Sequence, residues 1–108
     1  MPFRTITARE AADLLAATPD DVLLLDCRQP EELALAKVAG SLDIPMREIP
    51  GRLPEIDRAR DVLVLCHSGV RSLQVAVFLS RQGYPRVASI EGGIDAWSAS
   101  VDPSIPTY

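Results

Sequence analysis

The stretch from Asp61 to Gly83 constrains the fold of this chain most, because a strand, a tight loop and a helix follow one another within it. Its sequence is DVLVLCHSGVRSLQVAVFLSRQG. Residues 62–66 are all apolar, and a run this short is typical of a strand buried on both faces of a sheet. Residues 70–82 have the length of a helix, contain neither Gly nor Pro, and are followed by Gly83 as a stop signal. The thiol of Cys66 is therefore predicted at the carboxyl end of a core strand, facing the amino end of a helix.

That placement predicts a chemical role for the thiol of Cys66. The first turn of a helix carries free backbone N–H groups and a partial positive charge, and a loop that leads into it can direct further N–H groups inward as an anion-binding nest. Gly69 permits the tight curvature, Arg71 adds a permanent positive charge, and Ser72 can donate to a loop carbonyl or cap the helix. A cysteine at the centre of such a loop is expected to be largely a thiolate near neutral pH.

Packing is the alternative explanation for the same residues. Free cysteines are among the most buried residue types, and Arg71 alone would be an ordinary solvated helix residue. However, Cys, Gly, Arg and Ser in register across a strand–loop–helix junction form a much narrower pattern than a cysteine alone. The combination therefore favours the functional interpretation.

Three segments carry motifs in a fixed order along the chain. Residues 25–33 contain D-x-R-x-x-x-E, residues 66–72 form the loop CHSGVRS, and residues 90–97 contain G-G-x-x-x-W. Together they resemble the rhodanese-like sulfurtransferases, over nearly the whole chain. The resemblance implies an α/β fold and one rhodanese-like domain over residues 1–108. It also implies a five-stranded, mainly parallel sheet in the order 1-5-4-2-3, with helices on both faces.

The resemblance also implies an activity and a set of site residues. Cys66 would be the catalytic nucleophile, and the substrate would bind to the loop residues His67, Ser68, Gly69, Val70, Arg71 and Ser72. The thiolate would attack the outer sulfur of thiosulfate or a persulfide donor, and a thiol, cyanide or protein acceptor would then take that sulfur from a Cys66 persulfide. Loop N–H groups and Arg71 would stabilise the anionic donor and the persulfide.

Asp26 and Arg28 are predicted to support this site. Residues 22–26 have the pattern of a second apolar strand, which ends in an acid. Groups at the carboxyl ends of strands line the ligand crevice in α/β folds. Asp26 is expected to pair with Arg71 or with another arginine. Arg28 is interpreted as structural or paired with an acid, and help in anion binding is the alternative.

Two side chains are left with open roles. Cys27 follows a strand that the resemblance places beside the strand of Cys66. Ordinary packing is favoured for it, because strand neighbours often face apart, and a resolving role towards Cys66 is the alternative. The backbone N–H groups of His67 and Ser68 are expected to matter more than their side chains, although the imidazole could orient a donor or carry a proton.

The remaining elements are predicted from local patterns. Thr7 and Glu10 form a capping-box pattern that opens a helix through about residue 17, and Pro30 begins a short helix. A short helix interrupted by Pro50 is expected next. On the last helix, Trp97 is expected to pack in the hydrophobic core of the protein. Further strands are expected at residues 3–6 and 86–90, a turn with a brief strand at 40–45, and a polar connector at 54–60.

One segment departs from the usual family pattern. Family members usually carry G-H-I-x-G before the third strand, where this chain has AKVAG at residues 36–40. The usual glycine and histidine are missing, so any hydrogen bond from that histidine is lost. The departure is expected to change the local loop geometry and not the thiol of Cys66.

Composition and charge exclude several classes of function. The 108 residues are 47% hydrophobic and 24% charged, which are globular values. A net charge of −4 without a basic run argues against nucleic acid as a partner, and no segment has the length of a membrane span or the pattern of a signal sequence. Two cysteines 39 positions apart and a single histidine predict neither a disulfide framework nor a metal site. No cofactor is predicted, and the reducing cytoplasm is the expected compartment.

Three other functions remain open from the sequence. Phosphatases and arsenate reductases of related folds separate their Cys and Arg by five residues, whereas four residues separate Cys66 from Arg71, and the shorter loop favours a sulfur atom over a phosphoryl group. A sulfur-relay module would exchange sulfur with another protein's persulfide. A non-catalytic regulatory domain is disfavoured, because such domains typically lack the cysteine.

Overall fold

The computed structural model describes residues 3–108 and contains five strands that alternate with helices. The strands are β1 (Arg4–Ile6), β2 (Val22–Asp26), β3 (Leu42–Asp43), β4 (Asp61–Leu65) and β5 (Val87–Ile90). The α-helices are α1 (Ala8–Ala17), α2 (Pro30–Leu35), α3 (Val70–Arg81) and α4 (Gly93–Ser100). The alternation confirms the α/β class. No helix among residues 3–108 is both long and apolar enough to span a bilayer.

The strands form one sheet in the order β1-β5-β4-β2-β3, which is the predicted order. All the strand pairs within residues 3–108 are parallel, so this sheet is wholly rather than mainly parallel. β4 lies at its centre, and residues 61–65 pair in register with residues 22–26 of β2. Because successive parallel strands need crossover connections, helices cover both faces of the sheet. The carboxyl ends of β2 and β4 therefore lie side by side.

The side chains of β4 alternate between two hydrophobic core regions, one on each face of the sheet. Leu63 and Leu65 pack on the face covered by α1 and α4. Val62 and Val64 pack on the opposite face, which α3 covers. This alternation is the period of two that a strand imposes. Cys66 continues it and lies on the α3 face, so the sheet itself orients the thiol.

Two local predictions about helices are confirmed. The capping box of α1 is present, because the Glu10 amide donates to Thr7 Oγ1 and the Thr7 amide donates to Glu10 Oε1, each at 3.0 Å. Two orphan amides at the start of the helix are thereby satisfied. Trp97 of α4 is buried in the core region that contains α1.

Among the differences from the predicted boundaries, two concern the thiol and the segment before β4. β4 ends at Leu65, so Cys66 is the first residue beyond the strand. The segment predicted as one short helix consists of two 3₁₀-helices, Met46–Gly51 and Leu53–Glu55, and the second takes the place of the start of the expected connector. Pro50 lacks an N–H group and its ring disrupts an α-helical turn, which explains the tighter, shorter geometry.

Candidate active site

Cys66 lies directly after the central strand β4, at the carboxyl edge of the sheet, and is 1% exposed. The Gly69 amide donates a hydrogen bond to its Sγ at 3.0 Å, and the Sγ lies 3.4 Å from the hydroxyl oxygen of Ser72. Within residues 3–108 these two groups are the hydrogen-bonding neighbours of the sulfur, whereas the sequence predicted a ring of several loop amides. The sulfur is thus held at the amino end of α3 by one amide and one hydroxyl.

The loop that follows Cys66 turns sharply because Gly69 adopts a left-handed conformation. Its φ is +104°, a value that side chains other than glycine rarely adopt, and it is the N-cap residue of α3. A β-carbon at this position would also lie 3.1 Å from the Gly92 amide nitrogen. The turn brings the Gly69 amide back onto the sulfur three residues earlier in the chain.

The amino end of α4 holds the same loop from the other side. The Ile94 amide donates to the Cys66 carbonyl at 2.8 Å, and the Asp95 amide donates to the His67 carbonyl at 3.2 Å. These are amides that the first turn of a helix leaves without an intrahelical partner. Gly93 approaches so closely that a β-carbon there would lie 2.5 Å from the His67 carbonyl carbon. The two glycines of the G-G-x-x-x-W motif therefore let α4 pack directly against the loop that carries Cys66.

Replacement of Gly93 by alanine is expected to displace the loop that carries Cys66. Gly93 has a φ of +56° and no room for a methyl group, so the variant is expected to lose more than the roughly 1–2 kcal/mol that a left-handed conformation alone costs. Gly40→Ala is the matched control, because Gly40 has a φ of +84° with nothing within 4 Å of its β-position. Urea unfolding measures both losses, and equal losses would mean that the loop accommodates the methyl group.

Two buried serines lie beside the sulfur. Ser72 Oγ donates to the Gly69 carbonyl at 3.1 Å, which is one of the two roles that the sequence allowed, and lies 2.7 Å from Ser89 Oγ on β5. Either hydroxyl of this pair can be the donor. When Ser89 donates, the Ser72 proton is free to point at the loop carbonyl or at the Cys66 sulfur. The pair thus supplies a dipole that can reorient as charge on the sulfur changes.

Arg71 joins α3 to α2 through a two-point salt bridge. Its Nη1 and Nη2 donate to Glu32 Oε1 and Oε2 at 2.6 and 2.8 Å. These hydrogen bonds raise the pKa of Arg71, and its guanidinium also lies within electrostatic range of the Cys66 and Cys27 thiols. The sequence predicted Arg71 as an anion-binding residue. In the structure, Glu32 anchors its guanidinium while the positive charge stays near the sulfur.

Glu32 and Tyr108 extend this polar network to the carboxyl-terminal residues. The Tyr108 hydroxyl donates to Glu32 Oε2 at 2.7 Å and accepts from Arg28 Nη1 at 3.0 Å. The Tyr108 ring stacks on the His67 imidazole with centroids 4.0 Å apart. The hydrogen bonds from Arg71 outweigh burial and lower the pKa of Glu32 to about 2. A hydrogen bond and a ring stack thereby connect Tyr108 to Glu32 and to His67, beside the loop that carries Cys66.

The free energy of unfolding is expected to fall as the pH drops from about 5 to about 2. Glu32 has a pKa lowered from 4.5 to about 2 in the folded chain, so its stabilising contribution is complete above 4.5 and is lost as the pH falls through the folded value. The Glu32→Gln variant is expected to show a shallower fall across this window. Denaturant unfolding at successive pH values measures it, and an equally steep fall in the variant would contradict the assignment.

Asp26 and Arg28 form a buried ion pair at the end of β2. Both are 0% exposed, and Arg28 Nη2 and Nε donate to the Asp26 carboxylate at 2.7 and 2.9 Å. Arg28 Nη2 also donates to the Ala36 carbonyl at 2.8 Å. Burial lowers the pKa of Arg28, but the hydrogen bonds to Asp26 and Tyr108 outweigh it and raise the pKa. The sequence allowed Asp26 to pair with Arg71 or with another arginine, and the structure pairs it with Arg28.

The predicted loop residues divide into a contact group and a rim. Gly69 and Ser72 contact the Cys66 sulfur. Ser68 and Val70 are exposed, with Val70 64% exposed, so they lie at the rim of the site. The side chain of His67 stacks on a tyrosine ring, and its Nε2 lies 3.2 Å from Asp95 Oδ1.

Three residues of the site were not assigned by the sequence analysis. Glu32 stands in the D-x-R-x-x-x-E segment, and the acid of that motif could have been taken as the partner of Arg71. Ser89 interrupts the apolar run of β5, and a polar residue in a buried strand is a usable signal. Nothing in the local sequence pattern around Tyr108 marks it as a site residue.

The arrangement suits chemistry in which a sulfur atom, or a group attached to it, carries negative charge. The Gly69 amide, the Ser72 hydroxyl and the amino end of α3 face the sulfur, and the Arg71 charge lies nearby. An amide donor held in place at the amino end of a helix stabilises negative charge that develops during a reaction. Among residues 3–108, no three His, Cys, Asp or Glu side chains gather so as to hold a metal ion.

Comparison with known proteins gives consistent matches over most of the chain. A sulfurtransferase from Allochromatium vinosum is 46% identical over 82 residues, which cover 76% of this chain and 77% of that protein. The thiosulfate sulfurtransferase GlpE from Tolumonas auensis is 35% identical over 95 residues, covering 88% of each. The crystal structure of a rhodanese-related protein from Thermoplasma volcanium matches with a TM-score of 0.83 at 28% identity, covering 97% of this chain and 99% of that chain.

The match to a family model has the same extent. The model of the rhodanese-like domain matches residues 7–100, from the N-cap residue of α1 to the last residue of α4. This range includes the loop that carries the thiol, both strands beside it and the paired glycines that seat it. The chain belongs to the rhodanese-like domain family.

Proposed function

We propose that this chain is a sulfurtransferase that carries a sulfane sulfur as a persulfide on Cys66. The observation that carries the proposal is the hydrogen bond from the Gly69 amide to Cys66 Sγ, 3.0 Å long, at the amino end of α3. An N–H donor aimed at the sulfur favours a thiolate, and a persulfide formed on that sulfur is an anion with the same requirement. The names of the related sulfurtransferases support the same reaction class.

The proposed reaction has two displacement steps. In the first, the Cys66 thiolate attacks the outer sulfur of thiosulfate, the sulfur–sulfur bond of the donor breaks, and sulfite leaves with the bonding electron pair. In the second, a thiolate or cyanide attacks the outer sulfur of the Cys66 persulfide, which returns Cys66 as a thiolate and gives a new persulfide or thiocyanate. The Arg71 charge would attract the anionic donor, and the Gly69 amide would remain bonded to the inner sulfur.

The size of the loop disfavours a phosphatase or arsenate reductase. Only four residues lie between Cys66 and Arg71, and the Gly69 amide already occupies one side of the sulfur. A single sulfur atom fits such a loop better than a phosphoryl group does.

A sulfur-relay role with a protein donor or acceptor is the second candidate, because apolar side chains are exposed beside the loop. Val70 is 64% and Leu73 41% exposed on the first turns of α3. Leu35 is 58% exposed at the end of α2, which the Arg71–Glu32 salt bridge joins to α3. Val70 and Leu73 are three residues apart on α3 and therefore neighbours, and an exposed apolar pair beside a reactive centre suits contact with another protein.

Three assays on one preparation test the proposal. We expect thiocyanate from thiosulfate and cyanide, and no release of phosphate from an aryl phosphate. Transfer that is slow from thiosulfate but fast from a persulfidated protein would favour the relay role. Hydrolysis of the aryl phosphate in the absence of any sulfur transfer would overturn the proposal. Val70→Ser serves as a matched variant, since loss of transfer from the protein donor alone would place the partner beside Val70.

The proposal also implies a setting for the protein. Cys27 and Cys66 are both free thiols. A catalytic thiol persists in a reducing compartment, so we propose that this rhodanese-like domain, residues 1–108, acts in the cytoplasm. Its partners would be a small sulfur donor and a thiol, cyanide or protein acceptor.

A further inference from the structure

Cys27 and Cys66 are neighbours at the carboxyl edge of the sheet. Asp26 of β2 pairs with Leu65 of β4 in parallel register, and Cys27 and Cys66 are the residues that directly follow them. The Cys27 amide donates to the Leu65 carbonyl at 3.0 Å, so the ladder continues one step beyond the two strands. The two thiols therefore stand side by side on adjacent segments.

Both cysteine side chains also lie on the same face of the sheet. Cys27 and Leu25 of β2 belong to the core region on the α3 face, as do Cys66 and Val64 of β4. Adjacent strands lie about 4.8 Å apart, which falls within the range of roughly 4.4–6.8 Å between the α-carbons of a disulfide. Cys27 packs in the core, as the sequence favoured, but its side chain does not face away from Cys66.

Cys27 has no part in the sulfur-transfer steps. It is 0% exposed and is a free thiol. Burial, together with the negative charge of the nearby Cys66 and Asp26, raises the pKa of Cys27 to about 12. Cys27 is therefore a neutral thiol at neutral pH and does not compete with Cys66 for a sulfur donor.

We propose that Cys27 is a resolving thiol, which closes a disulfide with Cys66 after a hydroperoxide has oxidised the Cys66 sulfur. This proposal rests on the proposed function only in that Cys66 is the reactive thiolate. In the first step, the thiolate attacks one peroxide oxygen, the O–O bond breaks, and a sulfenic acid and hydroxide form. In the second, the Cys27 sulfur attacks the sulfenic sulfur, the sulfur–oxygen bond breaks, and the Cys27 proton passes to the leaving hydroxide, which departs as water. Overall, two thiols and one hydrogen peroxide give one disulfide and two waters.

The disulfide would protect the catalytic sulfur. A sulfenic acid without a nearby thiol is oxidised further to sulfinic acid, which ordinary thiols do not reverse. A disulfide is returned to two thiols by a small thiol reductant. Peroxide would thus inhibit sulfur transfer reversibly. Transfer would stop while the disulfide is closed and would resume after the disulfide is reduced.

Peroxide titration followed by intact-protein and peptide mass spectrometry tests this proposal. We expect the wild-type chain to lose about 2 mass units, with residues 27 and 66 in one cross-linked peptide, and to regain sulfur transfer after treatment with dithiothreitol. The control variant is Cys27→Val, which keeps an apolar side chain of similar size. It is expected to gain about 32 mass units at Cys66 and to stay inactive after the reductant.

Three readouts separate the outcomes. Equal rates of sulfinic acid formation in the wild-type chain and in Cys27→Val would overturn the proposal, and so would a disulfide between two copies through Cys66. Thermal unfolding of Cys27→Val shows whether the variant is folded, and Cys27→Ala replaces it if not. Sulfur transfer by the untreated wild-type chain reports on the proposed function separately, so the resolving role can fail while the sulfurtransferase assignment stands.

Discussion

Replacement of Cys66 by alanine is expected to lower thiosulfate–cyanide transfer by roughly a thousandfold or more. The covalent step would lose its nucleophile, and Cys27 is a buried neutral thiol with a pKa of about 12 that cannot take its place. The fold is expected to remain, with a loss of about 1–2 kcal/mol because the Gly69 amide is left without an acceptor. Steady-state kinetics and urea unfolding of the same preparation measure the two effects.

Cys66→Ser and Cys27→Val are the controls for that result. The serine hydroxyl can still accept from the Gly69 amide, so Cys66→Ser is expected to be more stable than Cys66→Ala and equally inactive. Cys27→Val is expected to keep most of its activity in the absence of peroxide. Substantial transfer by either Cys66 variant would show that the reaction does not use this sulfur.

Replacement of Arg28 by methionine is expected to destabilise the fold by about 3–5 kcal/mol. Both members of the Asp26–Arg28 pair are 0% exposed, so the change leaves a buried carboxylate without its cation. The carbonyl of Ala36 and the hydroxyl of Tyr108 also lose a donor. The free energy of unfolding from denaturant titration measures the loss, and the transition is expected to move to markedly lower denaturant.

An exposed pair and a double variant show whether burial causes that loss. Lys37→Met breaks the Lys37–Asp43 salt bridge, whose side chains are 41% and 28% exposed, and is expected to cost less than about 1 kcal/mol. Asp26→Leu combined with Arg28→Met is expected to recover part of the loss, because no charge is then buried alone. A loss from Arg28→Met no larger than that from Lys37→Met would contradict the explanation.

The location of the thiol could be predicted because it depends on local pattern. An apolar run of strand length, three loop residues and a helix without Gly or Pro leave little choice for the segment around Cys66. The end of β2 at Asp26 follows from the same reasoning. The strand order came from the resemblance of three motifs to a family, since periodicity alone does not say which strands are neighbours.

The partners of the charged side chains could not be predicted, because they are distant in the sequence. Arg71 meets Glu32 across 39 positions, and Tyr108 meets Glu32 across 76. Many acids could have satisfied Arg71 on charge alone, and the fold selects Glu32 by placing α2 within salt-bridge distance of α3. The face of the sheet on which the Cys27 side chain lies depends on the register of Cys27 with β4 beyond the end of the strand. The side-chain pattern does not determine that register.

The hydrogen-bonding groups around the sulfur were predicted only in part. The sequence indicated a ring of amides, and within residues 3–108 the structure has the Gly69 amide and the Ser72 hydroxyl. The positive φ of Gly69 and the close approach of Gly93 decide which amide reaches the sulfur. These are tertiary constraints, because α4 holds two carbonyls of the loop.

Mass measurement of the intact protein after incubation with thiosulfate tests most directly whether Cys66 carries a transferable sulfur. We expect a gain of about 32 mass units, confined to the peptide that contains Cys66, removed by cyanide and absent from Cys66→Ala. No gain from thiosulfate or from a persulfide donor, or a gain that persists in Cys66→Ala, would contradict the account.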